Sequence, residues 1–224
     1  MPASPPFQTL DEVAAATAGR LADAAAHFAF ELLQDEAFRR EAGFERLPTG
    51  EQDRIFNELL VAHLTLLMLT LEAPDLRVDR ELKEYLRRLQ EEITRAHIAN
   101  LQRHGVSGEP LRDWEKLIGL RFEEYCRDRH SVRAAALQTV SAEKEMQVAD
   151  LSRIQLLVPV QVVAIGCHHH VCRSQTEGRD ELFKLILRAL SRFYLETRLI
   201  FESGKLTPFM RLRRAVRRAL HRKR

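Results

Sequence analysis

Apolar residues recur along most of this chain at three- and four-residue spacing, the interval that keeps one face of an α-helix turned inward. The pattern predicts an all-α protein. In segment 79–104, Leu82, Leu86, Leu89, Ile93, Ala96 and Asn100 share a face, and in segment 178–202 Leu182, Ile186, Ala189, Phe193 and Leu199 do much the same. Residues 59–71 are apolar nearly all round, which predicts a helix with neighbours on several sides at the centre of a bundle.

Start and stop signals divide the chain. Thr9 with Glu12, Thr49 with Gln52 and Ser174 with Glu177 have capping-box spacing, while Gly43, Gly105 and Gly204 stand where a helix ends in a left-handed residue. Six core helices follow, over about 10–38, 50–72, 79–104, 109–139, 148–173 and 178–202. The fifth contains a β-branched run and Pro159. A lone buried strand would have no partner, since no other segment alternates with period two, so a helix kinked near Pro159 is expected. The links 43–50, 73–78 and 105–108 are short and polar, which favours antiparallel neighbours in an up-and-down-like bundle.

At 224 residues and 45% hydrophobic content the chain can bury a substantial core, read as one helical domain over 9–204. Residues 1–8 carry three prolines and lack the basic start and apolar centre of a signal peptide, so they are read as a flexible N-terminus. The most apolar runs, 59–71 and 154–165, fall short of the roughly 20 residues that cross a bilayer and are read as buried core. Three cysteines, at 126, 167 and 172, point to reduced thiols and a cytoplasmic protein. The apolar second and fifth helices are compatible with a homo-oligomer as well as a monomer.

Charge changes the picture. Nine of the 35 basic residues lie in 205–224, which has no acidic residue, leaving 26 against 32 acidic in 1–204: a body at −6 and a tail at +9. Thr207-Pro208 supplies an N-cap and a first-turn proline, so a C-terminal amphipathic helix is expected there. Phe209, Leu212, Val216, Ala219 and Leu220 share one side, and Arg211, Arg214, Arg217, Arg218 and Arg222 the other. Such a helix suits three settings: the chain's own acidic body, an anionic surface, or nucleic acid. The anionic surface is a membrane or an acidic partner protein. Near anionic headgroups each cation contributes about 1 kcal/mol, and the apolar stripe enters the headgroup boundary. A phosphate-tracking arm needs no such stripe, and no aromatic residues are interleaved for base stacking, so the membrane or acidic partner is favoured over nucleic acid.

The densest set of metal-ligand types is the run from Cys167 through His168, His169 and His170 to Cys172. Cys167 with His170, or His168 with Cys172, would share a helix face, and Cys126 with His130 forms a second pair at four-residue spacing. Two pairs meeting across a helix interface would supply a Cys2His2 zinc site, the alternative reading of the chain as a metal-binding bundle, sensor or metal-dependent enzyme. Against it, the cysteines pack equally well as small apolar residues near a helix end, with the histidines at its negative pole. His63 and His97 are expected in the core.

No phosphate-binding loop, dinucleotide-binding turn, His-Glu-x-x-His or Gly-x-Ser-x-Gly occurs, nor the Glu-x-x-His of di-iron bundles. The acidic pairs Glu91-Glu92 and Glu123-Glu124 are read as solvated faces with Arg87, Arg88, Arg95 and Arg127 in reach. The sequence therefore reads as a non-enzymatic interaction or adaptor protein that docks through its basic tail.

Overall fold

The computed structural model describes residues 9–73, 76, 78, 82–143, 145–173 and 180–202. Among them lie seven α-helices and no strand: α1 (Leu10–Gln34), α2 (Glu36–Glu41), α3 (Thr49–Leu71), α4 (Lys83–Arg103), α5 (Glu109–Glu143), α6 (Val148–Cys172) and α7 (Glu181–Glu202), with one 3₁₀ turn at Phe44–Arg46. The helical-bundle reading holds.

Local chemistry explains the boundaries, including those that differ from expectation. Thr9 and Glu12 form the predicted capping box, each side chain accepting from the other's backbone N–H. The first helix stops at Gln34 rather than 38, because Asp35 is extended and its carboxylate caps a new helix by accepting from Phe38 N–H at 2.9 Å. The Thr49–Gln52 box does not form. Pro48 is the N-cap of α3, and the Gln52 amide instead donates to the Phe44 and Leu47 carbonyls at 3.0 Å, tying the 3₁₀ turn to α3. Gly43 and Gly105 adopt the expected left-handed backbone, with φ of 61° and 87°. Pro159 lies inside a continuous α6, so the helical reading of that run stands. Ser174, Glu177 and Gly204 lie outside the described residues.

The core forms around α3, in which every residue from 58 to 71 is buried. It meets α1, α4, α5, α6 and α7, which is why its apolar residues are not confined to one stripe. α1 turns Ala14, Ala18, Ala22, Ala25 and Ala29 inward, a row of small side chains along which α4 packs closely. From α4 come Leu86, Leu89, Ile93 and His97. Each fully buried Leu, Ile or Phe contributes about 1.5–3 kcal/mol of transfer free energy. On α7 the inward row is Leu182, Ile186, Leu190, Phe193, Thr197 and Phe201, whereas Leu199 is 59% exposed. Six residues past Phe193, it lies about 120° away around the helix.

By length and composition α3 and α6 could each cross a membrane, although their most apolar runs alone are shorter. In α3 that apolar window is 83% buried within the bundle, the position of a core helix; in α6 it is 39% buried. α5 differs again: of its 35 residues only Ile118 and Tyr125 are buried.

Candidate functional site

The chemically richest part of the bundle is the seam where α3, α5 and α6 meet. On α5, Arg121, Glu124 and Tyr125 stand at i, i+3 and i+4, and on α6 His170 follows Gly166 by four positions and Cys167 by three, so each set lies along one side of its helix. Glu58 enters from α3. The Arg121 guanidinium donates to both Glu58 oxygens at 2.7 and 3.0 Å and to Glu124 at 3.3 Å, and His170 Nε2 lies 3.0 Å from the Glu124 carboxylate. The result is a chain of charge-assisted contacts joining three helices. Burial works against the Arg121 charge, but its bonds to Glu58 outweigh that and raise its pKa.

Two further groups complete the seam. The Cys167 thiol is fully buried, with Sγ 4.0 Å from the Glu58 carbonyl. Burial first, and the Glu58 charge second, push it well above the usual thiol range. The Tyr125 phenol is raised in the same way, by burial and then by Cys167 and Glu58, and its hydroxyl has no hydrogen-bond partner among the described residues. Its ring lies directly over Gly166, where an added Cβ would come within 2.2 Å of Cε1. A glycine in this apolar helix therefore marks a close approach between α5 and α6. With both Cys167 and Tyr125 held protonated, neither is an activated nucleophile.

Beside the seam, Arg54 of α3 closes the end of α6. Its guanidinium donates to the His170 and Val171 carbonyls at 2.6 and 3.0 Å, groups that a helix end leaves without internal partners. Glu51 holds Arg54 at 2.9 Å and pairs with Arg173, which takes a left-handed backbone just after the helix. This cap comes from another helix, not from the histidines expected to serve that end.

The six residues of the zinc alternative separate. Cys167 and His170 share a face, as their spacing allows, but it is the face toward Glu58 and Glu124. His168 is buried toward α7, its Nε2 3.0 Å from Asp180 and its ring against Phe183. Cys172 is half-buried and feels the same Asp180 charge. Cys126 is half-buried near Glu72 and Arg129, and His130 is exposed. The two pairs do not meet, and among the described residues no three or more His, Cys, Asp or Glu side chains are placed to hold a metal ion.

His63 and His97 lie in the core, as expected. His63 is wholly buried, with Nδ1 2.7 Å from the Leu59 carbonyl, so Nδ1 carries the proton; Nε2 has no partner among the described residues and the ring lies against Phe193. Burial lowers its pKa to about 4 despite the opposing Leu59 bond. His97, packed edge-on against Trp114, is likewise lowered to about 4 by burial. His27 stays at the surface near Glu31. Of the acidic pairs, Glu91 and Glu92 bond Arg87 and Arg95 as expected, whereas Glu124 turns into the seam.

A separate groove of about 690 Å³ lies between the first turns of α6 and the last turns of α7. Leu151, Leu156, Leu195 and Leu199 line it, with Arg133 and Arg153 among its charged neighbours. The tail residues Phe209, Arg211, Leu212, Arg214, Val216, Arg217, Arg218, Leu220 and Arg222 lie outside the described residues. No protein-family model, curated protein or solved structure matches the chain.

Proposed function

We propose that this is a non-enzymatic adaptor whose helical body is docked on an anionic membrane surface by its basic tail. The observation that carries the reading is the division of charge, +9 over 205–224 against −6 over 1–204, combined with the apolar stripe Phe209, Leu212, Val216 and Leu220. Cations bring the segment to anionic headgroups and the stripe then enters their apolar boundary, so the two sides of one helix contribute complementary terms. The body supports a scaffolding role over a catalytic one: the titratable side chains of the seam are committed to one another, and the two nucleophile types there are kept protonated.

Co-sedimentation of the full chain and of a 1–204 truncation, with anionic and neutral vesicles at low and moderate salt, tests this. Binding that needs both the tail and anionic lipid, and that weakens as salt screens the charges, is expected. Equal behaviour of the two chains would refute it. Tail-dependent binding to a nucleic acid duplex in preference to vesicles would move the anionic partner to phosphate backbones.

A further inference from the structure

We propose that, away from any membrane, the groove between α6 and α7 receives the chain's own segment 207–222, with its apolar stripe inward. The groove gathers partly exposed leucine side chains: Leu151 is 44%, Leu195 52% and Leu199 59% exposed. These leucines are gathered in one groove rather than scattered singly over the surface, which gives an apolar helix face something to pack on.

Three observations choose the occupant. First, the chain is delivered to the spot: Glu202, the last residue of α7, itself lines the groove, and Leu199 lies less than one turn earlier. Only residues 203–206 separate α7 from the Thr207-Pro208 start signal, and Gly204 among them permits a sharp reversal. A link of about four residues is typical between antiparallel helices. Tethering on so short a link gives an effective concentration on the order of millimolar, which no separate partner matches without high affinity.

Second, the dimensions agree. From Phe209 to Leu220 the stripe extends about 16 Å as a helix, and the groove follows α7 from Leu195 to Glu202 for about 10 Å before continuing along the first turns of α6. Third, charge fixes the orientation. Arg133, Arg153 and Arg198 outnumber Glu202 among the charged residues that line the groove and repel the tail's arginines, so entry with the apolar side inward, which leaves those arginines in water, is favoured. The contact deepens the membrane reading and rests on it only for its consequence: groove and bilayer compete for the same four apolar side chains, so the free protein hides its stripe until an anionic surface draws the cations away.

The test is hydrogen exchange read by mass spectrometry on the full chain at low micromolar concentration, without lipid. In the wild type, amides over 209–220 are expected to exchange at least about tenfold more slowly than in the Leu195→Glu/Leu199→Glu variant. A reciprocal Leu212→Glu/Val216→Glu variant, which leaves the bundle untouched, should lose the same protection. Equal exchange in wild type and in the reciprocal variant would overturn the proposal, as would protection that grows with protein concentration alongside a doubled mass in sedimentation, which would assign the groove to a second copy. Repeating the measurement alongside the vesicle assay separates the two readings. Protection without vesicle binding keeps the groove contact and removes the membrane; vesicle binding without protection in free solution does the reverse.

Discussion

Replacing Gly166 with alanine adds one methyl group to the bundle at a close crossing of α5 and α6. The new Cβ would lie 2.2 Å from Tyr125 Cε1, 3.0 Å from Cδ1 and 3.2 Å from Cζ. Ordinary carbon contacts need about 3.5–4.0 Å, so the ring must retreat by more than about 1 Å. It has nowhere easy to go, because Tyr125 is 1% exposed and sits between α6, the Cys167 thiol and the Glu58–Arg121 pair. Overpacking of this kind costs about 1–3 kcal/mol, and the fixed ring places Gly166→Ala toward the upper end. Alanine's better helix propensity offsets about 1 kcal/mol, leaving a net loss of about 2 kcal/mol. For a chain of this size that lowers Tm by about 4–8 °C, readable by far-UV circular dichroism. In a Tyr125→Leu background the alanine should cost nothing or help, because the clashing ring is gone. A Gly166→Ala protein as stable as wild type would refute the close approach of α5 and α6 as described.

Arg121→Met leaves the Glu58 carboxylate buried without its bidentate partner and should cost about 3 kcal/mol in urea unfolding, most of it recovered in the Glu58→Leu/Arg121→Met pair; an equally unstable double variant would show that the charges matter for more than each other. His63 and His97 titrate near 4 in the fold and near the ordinary 6.5 when unfolded, so the unfolded chain binds more protons between those values and stability must fall as pH drops from about 6.5 toward 4, by up to about 3 kcal/mol for each histidine. Tm measured over that window should slope downward toward acid and slope less in a His63→Met variant; an unchanged slope would mean that His63 is not held neutral. With a thiol-specific dye at about pH 8, Cys126 and Cys172 should react in the native protein and Cys167 only on unfolding, since burial both covers and protonates it. Native labelling at Cys167, located by peptide mapping, would contradict its placement.

Much of the bundle was legible because helix signals are local. The Thr9–Glu12 box, the two left-handed glycines and the all-round apolar run before Leu71 each act within a few residues, and the structure keeps them. The break at Asp35 was local too, an acidic cap standing three residues before Phe38, but the apolar spacing running on past it masked the stop. The seam was harder to see. Arg121 and Glu58 lie 63 positions apart, and each read alone is an ordinary solvated charge. Faint signals existed: Glu58 sits directly against the apolar run of α3, where a solvated acid is out of place, and Gly166 interrupts an apolar helix that has no turn there. The opposed pairing of Cys167 with His170 and of His168 with Cys172 followed from helix geometry, but which neighbour each face meets is decided by tertiary packing that spacing does not encode.

From 126 to 143 no residue of α5 is buried, and the facing start of α6 buries none before Ile154. Within the first stretch Cys126 and Val132 still pack against the core, but from 133 onward it and the start of α6 bury little, so this arm should open and close far more often than the seam while the rest of the bundle stays shut. The arm is thus the protein's tolerant region: a reporter or affinity tag inserted in the turn between α5 and α6 meets no core, and variation there can reshape the surface at almost no cost to folding.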